Sequence, residues 1–203
     1  MTQYDENFYD TITDGSTLSA ALVVPLIIAY YDSWNDWKTL IDVGCGRGVW
    51  AKEFERQGLT VLGIDGAYVT DAVVPFEAVD ISEPFGSDTR YDVALCLEVA
   101  EHLPEFRAAS FVEDLCKLAD VVIFSAAIPY QTGNGHINCQ WPSYWAELFG
   151  NNGYGCLDEI RKDIWNDEQV EPWYRQNLLV FSKNAPVVPV QDLVHPIIHS
   201  WGR

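Results

Sequence analysis

The sequence predicts an α/β domain: a seven-stranded, mostly parallel sheet with helices on both faces and an antiparallel edge strand. Two observations carry this. Short apolar runs alternate with helix-like segments from residue 39 onward, the pattern of successive βαβ units. Two further apolar runs lie close together near the end, which suits an antiparallel edge. A length of 203 residues is that of one domain, and a 48% hydrophobic composition supports a core without staples.

The elements follow in order. Leu18–Tyr31 is the most apolar stretch; it is short for a bilayer span and holds Pro25, so a buried helix is expected. Thr39–Cys45 is a buried strand running into glycines. Trp50–Gln57 is a short amphipathic helix closed by Gly58. Thr60–Asp65 and Phe76–Asp80 are the second and third strands, and Tyr91–Leu97 is the fourth. Glu105–Leu118 reads as a helix with Phe106, Ala109, Val112 and Leu115 on one side. Asp120–Ala126 is a fifth strand, Ser143–Asn152 a helix opened by Pro142, and Tyr154–Ile160 and Leu178–Ser182 the late strands. Between these last two, Asp158–Glu171 is expected to be either a solvated connection or a lid carrying Trp165 and Trp173. Val187, Val188, Val190, Leu193, Val194, Ile197 and Ile198 suggest a tail that docks on its own domain or on a second subunit.

Charge narrows the partners. Twelve basic against thirty acidic residues give a net charge of −18. Phosphate backbones need clustered Lys and Arg, so extended nucleic acid is not expected, nor is an anionic membrane surface. The N-terminus is acidic where a secretory leader is basic, and five cysteines are widely spaced without a CxxC. A cytoplasmic protein with reduced cysteines is expected.

Ligands of open α/β sheets sit beyond the carboxyl ends of the strands, and the unusual residues fall there. Asp42-Val-Gly44-Cys-Gly46-Arg-Gly48 follows the first strand; its glycines allow a sharp turn and close backbone approach. Asp65 ends the second strand, 23 residues after Asp42, a spacing at which an acid accepts ribose hydroxyls. Asp80 and Ile81 follow the third strand, where an acid can take an exocyclic amine and an apolar side chain can cover a flat ring. The spacing GxGxG, with an acid before it, departs from the GxGxxG of nicotinamide dinucleotide sites and suits a ligand bearing an ammonium group.

This set resembles the class I S-adenosylmethionine-dependent methyltransferases over about residues 38–130. The resemblance implies a Rossmann-like fold and S-adenosylmethionine as cofactor. Asp42, Gly44 and Gly46 would hold its methionine end, Asp65 with Gly66 the ribose, Asp80 and Ile81 the adenine, and Leu97 and Glu98 would complete the site. It also divides the single domain, 1–203, into a helical cap (1–37), a cofactor-binding core (38–127), a substrate-side loop with the late strands (128–183) and a docking tail (184–203).

After the fourth strand comes Glu98-Val-Ala-Glu101-His102. In a helical turn the three polar residues share a face, at i, i+3 and i+4. His136 follows the neighbouring fifth strand. The cluster is similar to that of metal-dependent small-RNA 2′-O-methyltransferases and to the ExxEH of ubiquinone-pathway O-methyltransferases. It implies Glu98, Glu101, His102 and His136 as ligands of Mg²⁺ or Mn²⁺, or, without metal, His136 as general base beside Glu101 and His102. Tyr130, Asn138, Gln140 and Trp141, in the long loop after the fifth strand, are the expected acceptor contacts. The expected reaction is O-methylation of a small molecule or glycan. Methylation of a terminal RNA nucleotide and a non-catalytic cofactor-binding subunit are the alternatives. A homodimer through the tail is the expected assembly.

Overall fold

The computed structural model describes residues 6–32 and 36–201. Residues 1–5 and 33–35 of the expected cap and 202–203 of the tail lie outside the described residues. The seven strands are β1 (Thr39–Val43), β2 (Thr60–Asp65), β3 (Phe76–Ala78), β4 (Tyr91–Leu97), β5 (Ala119–Ser125), β6 (Gly155–Leu157) and β7 (Leu179–Ser182). They lie in the order β3-β2-β1-β4-β5-β7-β6. Every pair through β5 is parallel. β7 is antiparallel to both β5 and β6. The expected mostly parallel sheet with an antiparallel edge is what forms.

Parallel strands buried on both faces place alternate residues in opposite cores. In β4, Val93 and Leu95 enter one core and Ala94 and Cys96 the other. The first core is covered by α1 (Glu6–Ile27), α2 (Val49–Arg56), α5 (Glu159–Ile164) and α6 (Pro172–Asn177). The second is covered by α3 (Ala108–Leu118) and α4 (Pro142–Asn151). Leu40 and Phe54 in the first core, and Phe111 and Phe124 in the second, are fully enclosed. Truncating any such residue to alanine costs about 2–5 kcal/mol.

The N-terminal helix is longer than its apolar run suggested. Thr13–Tyr31 is long and apolar enough, by length and composition alone, to cross a membrane. Here Ala20, Val23, Val24 and Ile27 face the core. Pro25 has no N–H to give its preceding turn, and the helix loosens into a π-helical turn over Ile28–Asp32.

Residues 105–118 also differ from expectation. Glu105–Arg107 forms a 3₁₀ turn, and the α-helix starts at Ala108. The tighter turn rotates the frame, so Ala108, Phe111, Val112 and Leu115 point inward, while Phe106 is 87% exposed and Ala109 is exposed.

The tail docks on its own domain. The Asp192 carboxylate accepts from Ser143 N–H at 2.8 Å and from Ser143 Oγ at 2.7 Å. Gln176 donates to the Leu193 carbonyl at 2.8 Å and accepts from His195 N–H at 2.5 Å. His195 Nε2 donates to the Trp165 carbonyl at 2.8 Å, and its Nδ1 accepts from Ile197 N–H at 3.2 Å. These contacts deliver the last helix, α7 (Pro196–Trp201), against α6.

Candidate active site

One cavity of about 970 Å³ opens at the carboxyl ends of β1, β2, β3 and β4. Its glycine wall is built by the β1–α2 turn. Gly44 N–H and Cys45 N–H both donate to the Ile64 carbonyl, at 2.8 and 3.2 Å, folding the turn onto the end of β2. Gly44 has φ +73°, and a Cβ there would lie 2.4 Å from Val99. No other residue fits both demands.

Asp42 and Asp65 stand at the ends of β1 and β2, both buried. Burial, then the Asp65 charge, push the Asp42 carboxyl up to about 8, against one backbone N–H from Ala51 that favours its anion. Asp65 accepts three hydrogen bonds. Its Oδ2 accepts from Gly46 N–H at 2.8 Å. Its Oδ1 accepts from Gly66 N–H at 2.6 Å and from the Tyr68 hydroxyl. Asp80 accepts from Ser82 N–H and Oγ, which holds its carboxyl below the ordinary range. Asp42, Gly44, Gly46, Asp65, Gly66, Asp80, Ile81, Leu97 and Glu98, all expected at a cofactor site, line this one cavity.

The acid–histidine cluster forms its floor. Glu98 ends β4 with a left-handed φ of +56°. A 3₁₀ turn, Ala100–His102, follows. This geometry separates residues that an α-turn would have aligned. Ligand atoms of Glu101, His102 and His136 all lie within 4.8 Å of one another, and Glu98 is outside the group. Its carboxylate instead accepts from Asn177 Nδ2 at 3.1 Å and Gln131 Nε2 at 3.2 Å. The expected four-ligand set therefore reduces to three.

Glu101 is fully buried. Its Oε1 accepts from Ala127 N–H at 3.1 Å, and its Oε2 accepts no hydrogen bond. Burial, then the neighbouring Glu98, push its carboxyl well up. His102 Nδ1 lies 3.2 Å from the Gly135 carbonyl, and His136 Nδ1 3.2 Å from that of Gln131. Each Nδ1–H therefore donates to a carbonyl, which leaves each Nε2 with a lone pair. Burial pulls His102 down to about 4 and also lowers His136. Both rings are neutral at pH 7. An orphaned carboxylate oxygen beside two neutral, carbonyl-oriented imidazoles is a donor set that fits a divalent cation.

The acceptor side departs from expectation. None of Tyr130, Asn138, Gln140 and Trp141 lines the cavity. Tyr130 is 80% exposed. Asn138 and Gln140 bond to each other at 2.9 Å, and their backbone N–H groups bond to the Glu101 and Ala127 carbonyls. Trp141 caps α4. The loop instead presents residues 131–134 and His136, and the opposite wall comes from Thr13, Ser16, Trp173, Tyr174 and Trp201. Of these, only Trp173 carried a signal in the sequence, as part of a possible lid. Trp165 packs on His195 instead, with ring centroids 4.7 Å apart.

The family described as "methyltransferase domain" matches residues 27–159, more than half of the chain. The chain belongs to this family. The ubiquinone biosynthesis O-methyltransferases of Escherichia coli and Shigella boydii are 32% identical to this methyltransferase domain over 80 residues. The chain spans about a third of the length of these curated relatives.

Solved structures share its fold. Magnesium protoporphyrin IX methyltransferase of Synechocystis PCC 6803, with bound S-adenosylmethionine, has a TM-score of 0.62 at 21% identity, covering 85% of this chain and 82% of that one. An amino pentose methyltransferase of Micromonospora echinaspora, from calicheamicin biosynthesis, has a TM-score of 0.64 at 16% identity, covering 87% and 96%. At these identities the likeness establishes the fold of the methyltransferase domain.

Proposed function

We propose that this chain is an S-adenosylmethionine-dependent O-methyltransferase acting on a hydroxyl of a small molecule or glycan. The observation that carries this is the placement of the Glu101–His102–His136 cluster on the floor of the cavity lined by Asp42, Asp65 and Asp80. The cofactor's methionine end would lie along Gly44 and Gly46, its ribose on Asp65 and its adenine between Asp80 and Ile81. Its sulfonium methyl would then face the cluster.

The reaction breaks the methyl carbon–sulfur bond and forms a carbon–oxygen bond, releasing S-adenosylhomocysteine and the hydroxyl proton. Enclosure by α1, α6 and α7 orients the acceptor and excludes water. Without a metal ion, His136, neutral and with its lone pair on Nε2, can take the proton. Glu101, His102 and His136 would hold a divalent ion, which when bound lowers the pKa of the acceptor hydroxyl.

The charge of the cavity favours a compact acceptor over RNA. Its lining holds five carboxylates, and its one arginine, Arg47, is already paired with Asp71 at 2.6 Å. The test is incubation with methyl-labelled S-adenosylmethionine and separate pools of hydroxylated small molecules, glycosides, amines and RNA. Labelled methyl ethers, with S-adenosylhomocysteine in equal amount, are expected. Label only on amines or RNA contradicts the proposal.

A further inference from the structure

The Asp65 carboxylate carries one more hydrogen bond than its proposed task allows. A carboxylate offers about four acceptor positions, two on each oxygen. Three are filled here: Gly46 N–H on Oδ2, and Gly66 N–H with the Tyr68 hydroxyl on Oδ1. A ribose that binds through both hydroxyls needs one position on each oxygen. Oδ2 has one to give and Oδ1 has none.

One donor on Oδ1 must therefore leave. Gly66 N–H belongs to the backbone at the end of β2, where the Asp65 carbonyl accepts from Val79 N–H at 2.8 Å. It is fixed. Tyr68 is a side chain, 41% exposed, on the rim of the same cavity. Its ring lies against Gly66, where an added Cβ would come within 2.1 Å of it. The glycine thus lets the phenol reach back three residues to the carboxylate.

We propose that Tyr68 is a residue of the cofactor site that stands in for a ribose hydroxyl and gives up its hydrogen bond to Asp65 when the nucleoside enters. This rests on the reading of Asp65 as the ribose acceptor. The tyrosine satisfies a buried carboxylate and, by the same bond, competes with the cofactor. Removing the hydroxyl should therefore tighten binding, the opposite sign from losing an ordinary ligand contact.

The experiment is calorimetric titration of S-adenosylhomocysteine into the full chain and into Tyr68→Phe, which keeps the ring on Gly66. Charge-assisted hydrogen bonds are the stronger kind, but this one is partly exposed, so Kd is expected to fall about three- to tenfold. A dideoxynucleoside makes no demand on Oδ1. The affinity for 2′,3′-dideoxyadenosine, read by ligand-observed NMR, should not change, whereas that for adenosine should rise. Unchanged or weaker binding of S-adenosylhomocysteine by Tyr68→Phe overturns the proposal. So does an equal gain for the dideoxynucleoside, which would make the effect steric. If the folded wild-type chain binds no S-adenosylhomocysteine, the cofactor reading itself fails, a result distinct from both.

Discussion

The Asn177 side-chain amide reaches across 79 residues of sequence to donate to Glu98 at 3.1 Å. The same nitrogen lies 3.0 Å from Gln131 Oε1, and Gln131 Nε2 donates back to Glu98 at 3.2 Å. Three segments, the end of β4, the loop after β5 and the end of α6, thus meet on one half-buried carboxylate. Asn177→Ala leaves that carboxylate with fewer donors in a site it cannot leave. A loss of about 1–3 kcal/mol is expected, a fall in Tm of about 2–4 °C per kcal/mol for a chain of this size. Asn177→Asp should destabilise more than Asn177→Ala, because it adds a third acid. Thermal denaturation at neutral pH checks the order; an Asp variant as stable as wild type would be inconsistent with it.

Asp42 makes the stability of the protein pH-sensitive. Its carboxyl is raised from 3.8 to about 8 by burial and by Asp65. The folded state therefore holds a proton that the unfolded chain has lost. This contribution to stability is fully present below about pH 4 and is lost as pH rises to about 8, with a slope of up to ~1.4 kcal/mol per pH unit. Asp42→Asn should remove that slope. Urea titrations from pH 5 to 8 measure the difference between the two proteins, and parallel profiles would contradict the assignment.

Arg107 and Asp114 form a buried pair at 2.6 Å, with the guanidinium also near the Phe85 and Phe111 rings. Removing one member strands the other, so Asp114→Ala should cost about 3–5 kcal/mol. Neither residue lines the cavity. Binding of S-adenosylhomocysteine by the folded fraction should be unaltered. Calorimetry below the melting range separates the two effects.

The acid–histidine floor predicts cation binding without any acceptor. Titration of Mn²⁺ into the metal-stripped chain should show a saturable site. His136→Ala should weaken it about tenfold or more, by losing one of three ligands. Equal Mn²⁺ binding by His136→Ala would leave His136 as a base and not a ligand.

The sheet was legible because its signals are local. Runs such as residues 39–43 and 91–97 are mostly apolar, and each is followed by the glycine or acid that the ligand end requires. The cluster residues were also legible, but not their grouping. Helical spacing put Glu98 with Glu101 and His102, whereas its left-handed backbone and the 3₁₀ turn send it to Asn177. The inward face of α3 was misjudged for a related reason, since a 3₁₀ turn advances the chain by three residues per turn rather than 3.6. The acceptor wall was not legible at all at Thr13, Ser16 and Trp201. Ser16 reaches Tyr174 at 3.1 Å from the other end of the chain, and Trp201 arrives because Gln176, His195 and Asp192 strap the tail to the body, a route that nothing near it in sequence announces.

The central claim is that this cavity binds S-adenosylmethionine through Asp65. Calorimetric titration of S-adenosylhomocysteine into the purified chain and into Asp65→Ala tests it most directly. The account predicts saturable one-to-one binding, weakened by about tenfold or more in the variant while its fold, read by circular dichroism, is kept. Absence of binding by the folded chain, or equal affinity in Asp65→Ala, would contradict it.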